Sequence, residues 1–452
     1  MVGVSSSVLG KDGRDVPPAD PRSLVVAKVL RRFMPLLFVG AVLAQLDRVN
    51  VSMASLAMND DVGLSPAVYG FGVGLFFIVY ALCEIPSNAG LARFGARRWI
   101  ARIMLTWGVV STLTAFVIGP ATFVANRALL AAAEAGFLPG VLAYLSIWLP
   151  ARDRARAFSM FLMAIPIANI LGGPLAAALL GLDGMLGLRG WQWLFILEGL
   201  PPVILAIVIW AKLRDHPRDA EWLTPDEAEL LVASHHPTEA KEHLTLAVFV
   251  KSIISPQILL FTLVLGCLGG INHAVTFWLP QIVRSAGLSV QETGFAAAVP
   301  YLLGAAVMVA WSSHSDRTGE RRWHLAGPAI LAGIALAASA WLPGALTRMA
   351  LVTIAVTCVL AIQGIFWSMV SVSLEGHRRT IGMATVSAGG ILFAFLAPFL
   401  IGLSKQLTGG FDAAFVILGA LGVVGGGLAF VMAAQATRTA HPDITKQRGE
   451  NP

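Results

Sequence analysis

The chain has 452 residues, 56% hydrophobic and 13% charged, with a mean hydropathy of +0.75 and a formal charge of +6. Soluble proteins carry about 25% charged residues, so this composition excludes a soluble domain and points to a chain that crosses a bilayer repeatedly. The pI near 9.5 reflects arginines placed in loops rather than binding to nucleic acid.

Residues 1–30 hold scattered charges and prolines but no short apolar core with a small-residue cleavage site, so no signal peptide is expected and the stretch reads as a tail. Apolar windows of spanning length follow at 33–58, 69–91, 99–119, 121–149, 157–181 and 191–212. The first carries Asp47-Arg48 near its centre. Each such charge costs roughly 2.5–3.5 kcal/mol at mid-bilayer, and charges kept there usually face a water-filled or protein-lined cavity. A transport site is the preferred reading and a structural ion pair the alternative. Tyr80 lies midway along the second window, with Glu84 towards its end. Arg127 and Glu134 are two helical turns apart and share one face of the fourth. Glu198 lies within the sixth.

Residues 213–254 form the only long polar internal segment and divide the windows six and six. Thr224-Pro225-Asp226-Glu227 predicts a helix start, with a capping residue, a first-turn proline and acids near the N-terminus. His235, His236 and His243 fit no standard metal-ligand spacing, and no metal is expected. Cys83, Cys267 and Cys358 all lie in apolar windows and read as packing residues.

The second half continues with windows at 255–284, 294–313, 325–343, 347–374, 380–404 and 411–436, before a tail at 437–452. Lipid admits only helices or closed barrels, and these windows are too long and too uniformly apolar for barrel strands. The expected fold is therefore an all-α polytopic membrane protein of 12 transmembrane helices in two six-helix bundles, residues 31–212 and 255–436. No acid, lysine or arginine lies midway along the later spans. They offer Asn272, His273, Trp278, Gln363, Trp367, Ser371 and Ser387, neutral groups suited to reading the uncharged part of a ligand. Pro86, Pro139, Pro166, Pro174 and Pro398 are expected to bend or break their helices.

One set of short loops holds Arg93, Arg97, Arg98, Arg152, Arg154, Arg156, Arg317, Arg321, Arg322, Arg378 and Arg379; the other holds Arg189, Arg284, Arg348 and Lys405. The positive-inside rule makes the first set cytoplasmic, with both termini on the same side. The turns GLARFGARRW (90–99) and SHSDRTGERRW (313–323) repeat glycine and paired arginines at the same place in each half. Parallel repeats of this kind mark the major facilitator superfamily.

Within that superfamily several segments resemble the anion:cation symporters: LDRVNVSMASLAMNDDVGLS (46–65), FFIVYALCEIPSN (76–88), RALLAAAEAGFLPGVLAYLSIWLPARDRARA (127–157), GGPLAA (172–177), WQWLFILEGLPPV (191–203) and SDRTGERRWH (315–324). The pattern is most similar to transporters of tartrate, sugar acids and aromatic carboxylates. The chain departs from that pattern at Ala92, at FWSMV (366–370), and at VSAGGI (386–391), where Ser387 and Ile391 replace family asparagines.

The resemblance implies that Asp47 and Glu134 carry the coupled proton, that Tyr80 touches substrate, and that Glu84, Arg93, Arg97, Asp316 and Arg317 serve the gate. Arg48 is the leading anion ligand, because its planar guanidinium can hold a carboxylate through two hydrogen bonds. Arg127 is either a second anion contact or the residue that holds Glu134. The expected function is proton-coupled uptake of a small organic anion such as tartrate, an aldonate or another hydroxy or aromatic carboxylate, by a functional monomer in the cell inner membrane. The alternatives are a proton-antiport exporter of drugs or metabolites and a non-transporting membrane sensor. No ATP-binding loop, nucleophile elbow or metal-ligand cluster is present, so neither enzyme activity nor a cofactor is expected.

Overall fold

The computed structural model describes residues 21–233, 255–342, 344–374 and 376–440. Every apolar window forms a helix: α1 (Pro21–Val62), α2 (Pro66–Phe94), α3 (Ala96–Leu113), α4 (Pro120–Glu134), α5 (Phe137–Trp148), α6 (Ala151–Leu162), α7 (Ala164–Leu180) and α8 (Gly190–Lys212) precede the linker helix α9 (Pro225–Ala233). The second half comprises α10 (Pro256–Arg284), α11 (Val290–Thr318), α12 (Arg322–Trp341), α13 (Ala345–Ser373), α14 (Gly376–Thr408) and α15 (Asp412–Ala440). With α4–α5 and α6–α7 each counted as one span, eleven segments among the described residues are long and apolar enough to cross a membrane. The first span, α1, completes the twelve. Outward-facing side chains such as Ile204, Ile207, Leu331 and Ile334 are exposed, as they should be where lipid is the solvent.

The two interrupted spans follow from proline chemistry. A proline ring clashes with the carbonyl four residues earlier and leaves it without a donor. Pro139 acts on Ala135, where the fourth span breaks, and Pro166 acts on Leu162, the last residue of α6. At the first break Gly136 adopts φ +89°, and a Cβ there would run into Ser87 Oγ. Pro86, Pro174 and Pro398 lie inside continuous helices.

Residues 21–30, expected in the tail, instead begin α1. Val25, Val26 and Val29 are buried in the first bundle's core together with Ala220, Leu223, Ala228 and Leu231 of the linker. Trp222 stacks on Trp148 at 5.9 Å, and Lys28 donates to Glu227 Oε2 at 2.8 Å. The helix start expected at Thr224 is present as a reciprocal cap: Glu227 N donates to Thr224 Oγ1 at 3.2 Å and Thr224 N to Glu227 Oε2 at 2.9 Å. At the other end α15 extends to Ala440, past the expected 436. His235, His236 and His243 lie outside the described residues, as do the side chains of Arg378 and Arg379.

Helices α1–α8 form one bundle and α10–α15 the other, meeting through α2 on α14, α7 on α11 and α1 on α10. The face where α1 begins and α15 ends is called the near face. Several polar contacts join the bundles towards the opposite, far face. Tyr69 OH donates to Phe277 O at 2.9 Å, Ala67 N to Gln406 Oε1 at 3.3 Å, and Gln281 Nε2 to Ser55 Oγ at 2.9 Å. Lys405 Nζ continues the last chain by donating to Gln281 Oε1 at 2.7 Å.

Candidate functional site

Below that far-face closure lies a cavity of about 540 Å³ lined from both bundles, with Gln45, Arg48 and Asn169 on one side and Asn272, His273, Thr276 and Gln363 among the polar groups on the other. Its remaining walls are largely apolar, including Phe77, Ile165, Phe277, Met308, Leu360 and Trp367. A side lobe of about 280 Å³ adds Ser387, Gly390 and Ile391 of α14 to Asn272, His273, Gln363 and Trp367. Of the second-half residues expected at the site, Asn272, His273, Gln363, Trp367 and Ser387 therefore share one cavity wall.

Two expected contacts stand elsewhere. Trp278 is fully buried at the far end, where its Nε1 donates to Pro398 O at 3.1 Å and its ring meets Tyr69 edge-on. Pro280 follows it in α10, and this segment packs into the closure between the bundles. Ser371 turns its hydroxyl to Ser368 O at 2.8 Å and lines neither the cavity nor its lobe.

The first bundle supplies the charge. Arg48 lines the cavity and meets Glu134 from behind, with Nε and Nη2 at 2.8 and 2.7 Å from Oε1. Glu134 has no exposure and is the last residue of α4, so the proline-induced break fixes its position. A carboxylate at a helix C-terminus is disfavoured by the helix dipole, and the guanidinium of Arg48 offsets that cost. Tyr80 supports the same group from below, with its ring 4.8 Å from the guanidinium carbon. It stands under Arg48 and outside the cavity lining, which makes it a support for the cation rather than a wall residue.

Arg127 does not line the cavity and forms no ion pair with Glu134, although its charge bears on that carboxyl. It is 1% exposed, lies 4.9 Å over the Phe76 ring, and its three guanidinium nitrogens have no hydrogen-bond acceptor among the described residues. Its charge instead acts jointly on Asp47, Tyr69 and Glu134. Asp47 is 1% exposed, accepts a hydrogen bond from Ser111 Oγ of α3, and keeps Oδ2 unpartnered. The cluster thus places two carboxyls and two guanidiniums behind one cavity wall, with only Arg48 reaching the cavity.

Of the residues expected at the gate, Arg93, Arg97, Asp316 and Arg317 lie towards the near face, and the contacts they make among the described residues stay within their own bundle. Arg97 N donates to Asp215 Oδ1 at 2.8 Å and its Nε to Trp210 O at 2.6 Å. Asp316 pairs with Arg321 at 2.7 Å, Arg93 lies over Phe94, and Arg317 is exposed. Glu84 forms no ion pair among the described residues, although the charge of Arg48 reaches it. Sequence reasoning gave no role to Asn50, Ser111 or Glu198, which the fold gathers around Asp47. The signs available were the acid at Glu198 inside an apolar window and a polar residue one turn from Asp47.

Two pseudo-equivalent helical bundles around a central cavity, with buried charge on its wall, define a multi-pass membrane transporter. The chain belongs to the Major Facilitator Superfamily, whose sequence pattern it matches over residues 37–375. A putative tartrate transporter of Agrobacterium vitis is 40% identical over 410 residues, covering 90% of this chain and 94% of its own. A quinolone resistance transporter of Acinetobacter baumannii is 34% identical, covering 94% of this chain and 98% of its own. A bacterial homologue of the human lysosomal transporter Spinster, solved in an inward-facing and unoccupied conformation, shares the fold with a TM-score of 0.75 at 17% identity, over 93% of this chain and 98% of that one. Its relatives are transporters, and the protein is not an enzyme.

Proposed function

We propose that this transporter moves a small organic anion together with a proton, in the direction of uptake. The observation that carries this reading is the Arg48–Glu134 pair: the one arginine or lysine on the cavity wall among the described residues is held by a buried carboxylate. A substrate carboxylate and Glu134 compete for the same guanidinium. Protonating Glu134 frees Arg48 to bind the substrate, and releasing the proton restores the internal pair and expels the anion. Asp47, linked to the cluster through Arg127, is the second proton carrier. Breaking such a buried pair without replacement costs roughly 3–5 kcal/mol, so the empty, deprotonated cluster resists exchange and the cycle stays coupled.

The cavity volume lies in the range of roughly 300–1,000 Å³ usual for small-molecule sites, and its apolar walls suit a carboxylate with a hydrophobic or aromatic body. The tartrate transporter name of the Agrobacterium relative supports a hydroxylated acid within the same class. With the arginine-rich near face taken as cytoplasmic in the inner membrane, the far-face closure supports an inward-facing state, and the transporter works as a monomer. One observation favours a second reading, proton-antiport export: the Acinetobacter relative is a quinolone resistance transporter.

A screen of organic acids in proteoliposomes containing an internal pH dye tests the proposal. Symport predicts that a transported acid, added outside, acidifies the lumen, and that an imposed inward proton gradient drives its accumulation. Lumenal alkalinisation on adding the acid would favour antiport instead.

A further inference from the structure

Glu198 on α8 is unused by the mechanism above, yet it is 6% exposed and neither carboxyl oxygen has a hydrogen-bond partner among the described residues. An isolated ionised carboxylate is too costly to bury in that way. Helix packing brings it to the coupling cluster. Gly108 of α3 and Gly199 of α8 allow the two backbones to approach so closely that a Cβ on Gly108 would lie 2.8 Å from Gly199 O. Ser111, one turn beyond Gly108, reaches Asp47 on α1. Asn50, one turn beyond Asp47 on the same face of α1, is 3% exposed. Its side chain is placed as a hydrogen-bonding neighbour of both Asp47 and Glu198, though in this conformation neither of its polar atoms completes a hydrogen bond of full geometry.

The surrounding charges are few. Arg127 and Glu134 of α4 act on Asp47, Asp47 in turn acts on Glu198, and α3 contributes the neutral Ser111. A neutral carboxyl has one O–H donor, and an asparagine side chain has one acceptor oxygen and an NH2 donor. If Glu198 O–H donates to Asn50 Oδ1, the Asn50 NH2 is turned towards Asp47.

We propose that Glu198 is a positioning residue for proton coupling: it keeps its own proton and orients Asn50 so that its NH2 stabilises Asp47 in the ionised form. Asp47, the second carrier beside Glu134, takes up and releases a transported proton, while the Glu198 proton stays. The inference rests on the proton-coupled reading above.

The test measures the pH dependence of proton-driven uptake in proteoliposomes for wild type, Glu198→Met, Glu198→Gln and Asn50→Leu, with substrate counterflow as the check of folding. Glu198→Met removes the donor, so Asp47 releases its proton less readily and the pH of half-maximal uptake rises by about half a unit to one unit. Asn50→Leu gives the same rise, and the double variant gives no more. Glu198→Gln keeps an N–H donor and retains the wild-type profile. An unchanged profile in Glu198→Met overturns the proposal, and so does an equal shift in Glu198→Gln, which would mean that Glu198 itself titrates. Should Glu198→Met fail to reach the membrane, an unshifted Asn50→Leu overturns it. Wild-type uptake indifferent to a proton gradient would sink the coupling reading first, and is distinguishable from all of these outcomes.

Discussion

Arg48 stands at the meeting point of substrate and proton in this account, so its geometry has a direct consequence. Two of its nitrogens share one oxygen of Glu134, and a lysine at that position keeps the charge but loses the planar fork. Hydrogen bonds to charged groups are worth about 1.5–3 kcal/mol, so Arg48→Lys should lower uptake tenfold or more at sub-saturating substrate. Initial uptake rates check this, and near wild-type rates would remove Arg48 from the anion site. Ser387 tests specificity in the opposite bundle. It lines the side lobe with Gln363 and Trp367, and a neutral hydrogen bond contributes about 0.5–1.5 kcal/mol. Ser387→Asn should reorder competing acids that differ by one hydroxyl by up to about tenfold, favouring the more hydroxylated. A uniform shift across the series would make the residue scaffold.

At the scale of elements, the twelve spans were legible because lipid leaves the backbone no alternative to the helix, and the breaks at Ala135 and Leu162 follow from prolines visible in the sequence. Pairing between helices was less legible. Arg127 and Glu134 share a helix face, which made them natural partners, yet Glu134 bonds to Arg48 on α1 because helix rotation decides which cation arrives first. Trp278 and Ser371 read like wall residues for the same reason, and Glu198 drew no role because its approach to Asp47 depends on α3, α8 and α1 together. Residues 21–30 looked polar enough for a tail, but three valines and the docked linker make them helix. That docking has a pH signature. The Lys28 ammonium, with the Thr224 N–H, holds the Glu227 carboxyl below its usual range. A depressed folded-state value stabilises docking above the unfolded-state value, and the contribution fades as pH falls through the folded-state value. Exposed pairs of this kind are worth about 0.2–1 kcal/mol, so Glu227→Gln should modestly raise proteolysis of the linker at neutral pH and match wild type once the medium is acidic enough to protonate Glu227. Equal cleavage of both proteins at neutral pH would show that Trp222 stacking alone holds the linker.

For the whole molecule, the far-face contacts set the balance between states. Ser55, Gln281 and Lys405 form one hydrogen-bonded chain across the bundles. Gln281→Ala removes its centre and should favour the opposite conformation by about 0.5–1.5 kcal/mol. In a cysteine-free background, a cysteine at Thr276 on the cavity wall should then react several-fold faster with an impermeant thiol reagent applied from the far face. Unchanged labelling would place the closing energy in the Tyr69–Phe277 and Trp278 contacts instead.

The central claim is that Glu134 exchanges Arg48 for a proton while the substrate takes its place. The most direct measurement compares gradient-driven accumulation with substrate counterflow in Glu134→Gln proteoliposomes. Loss of accumulation with counterflow retained is the predicted result, because a neutral side chain leaves Arg48 free for the anion but has no proton to deliver. Accumulation equal to wild type, or loss of both activities in a folded protein, would contradict it.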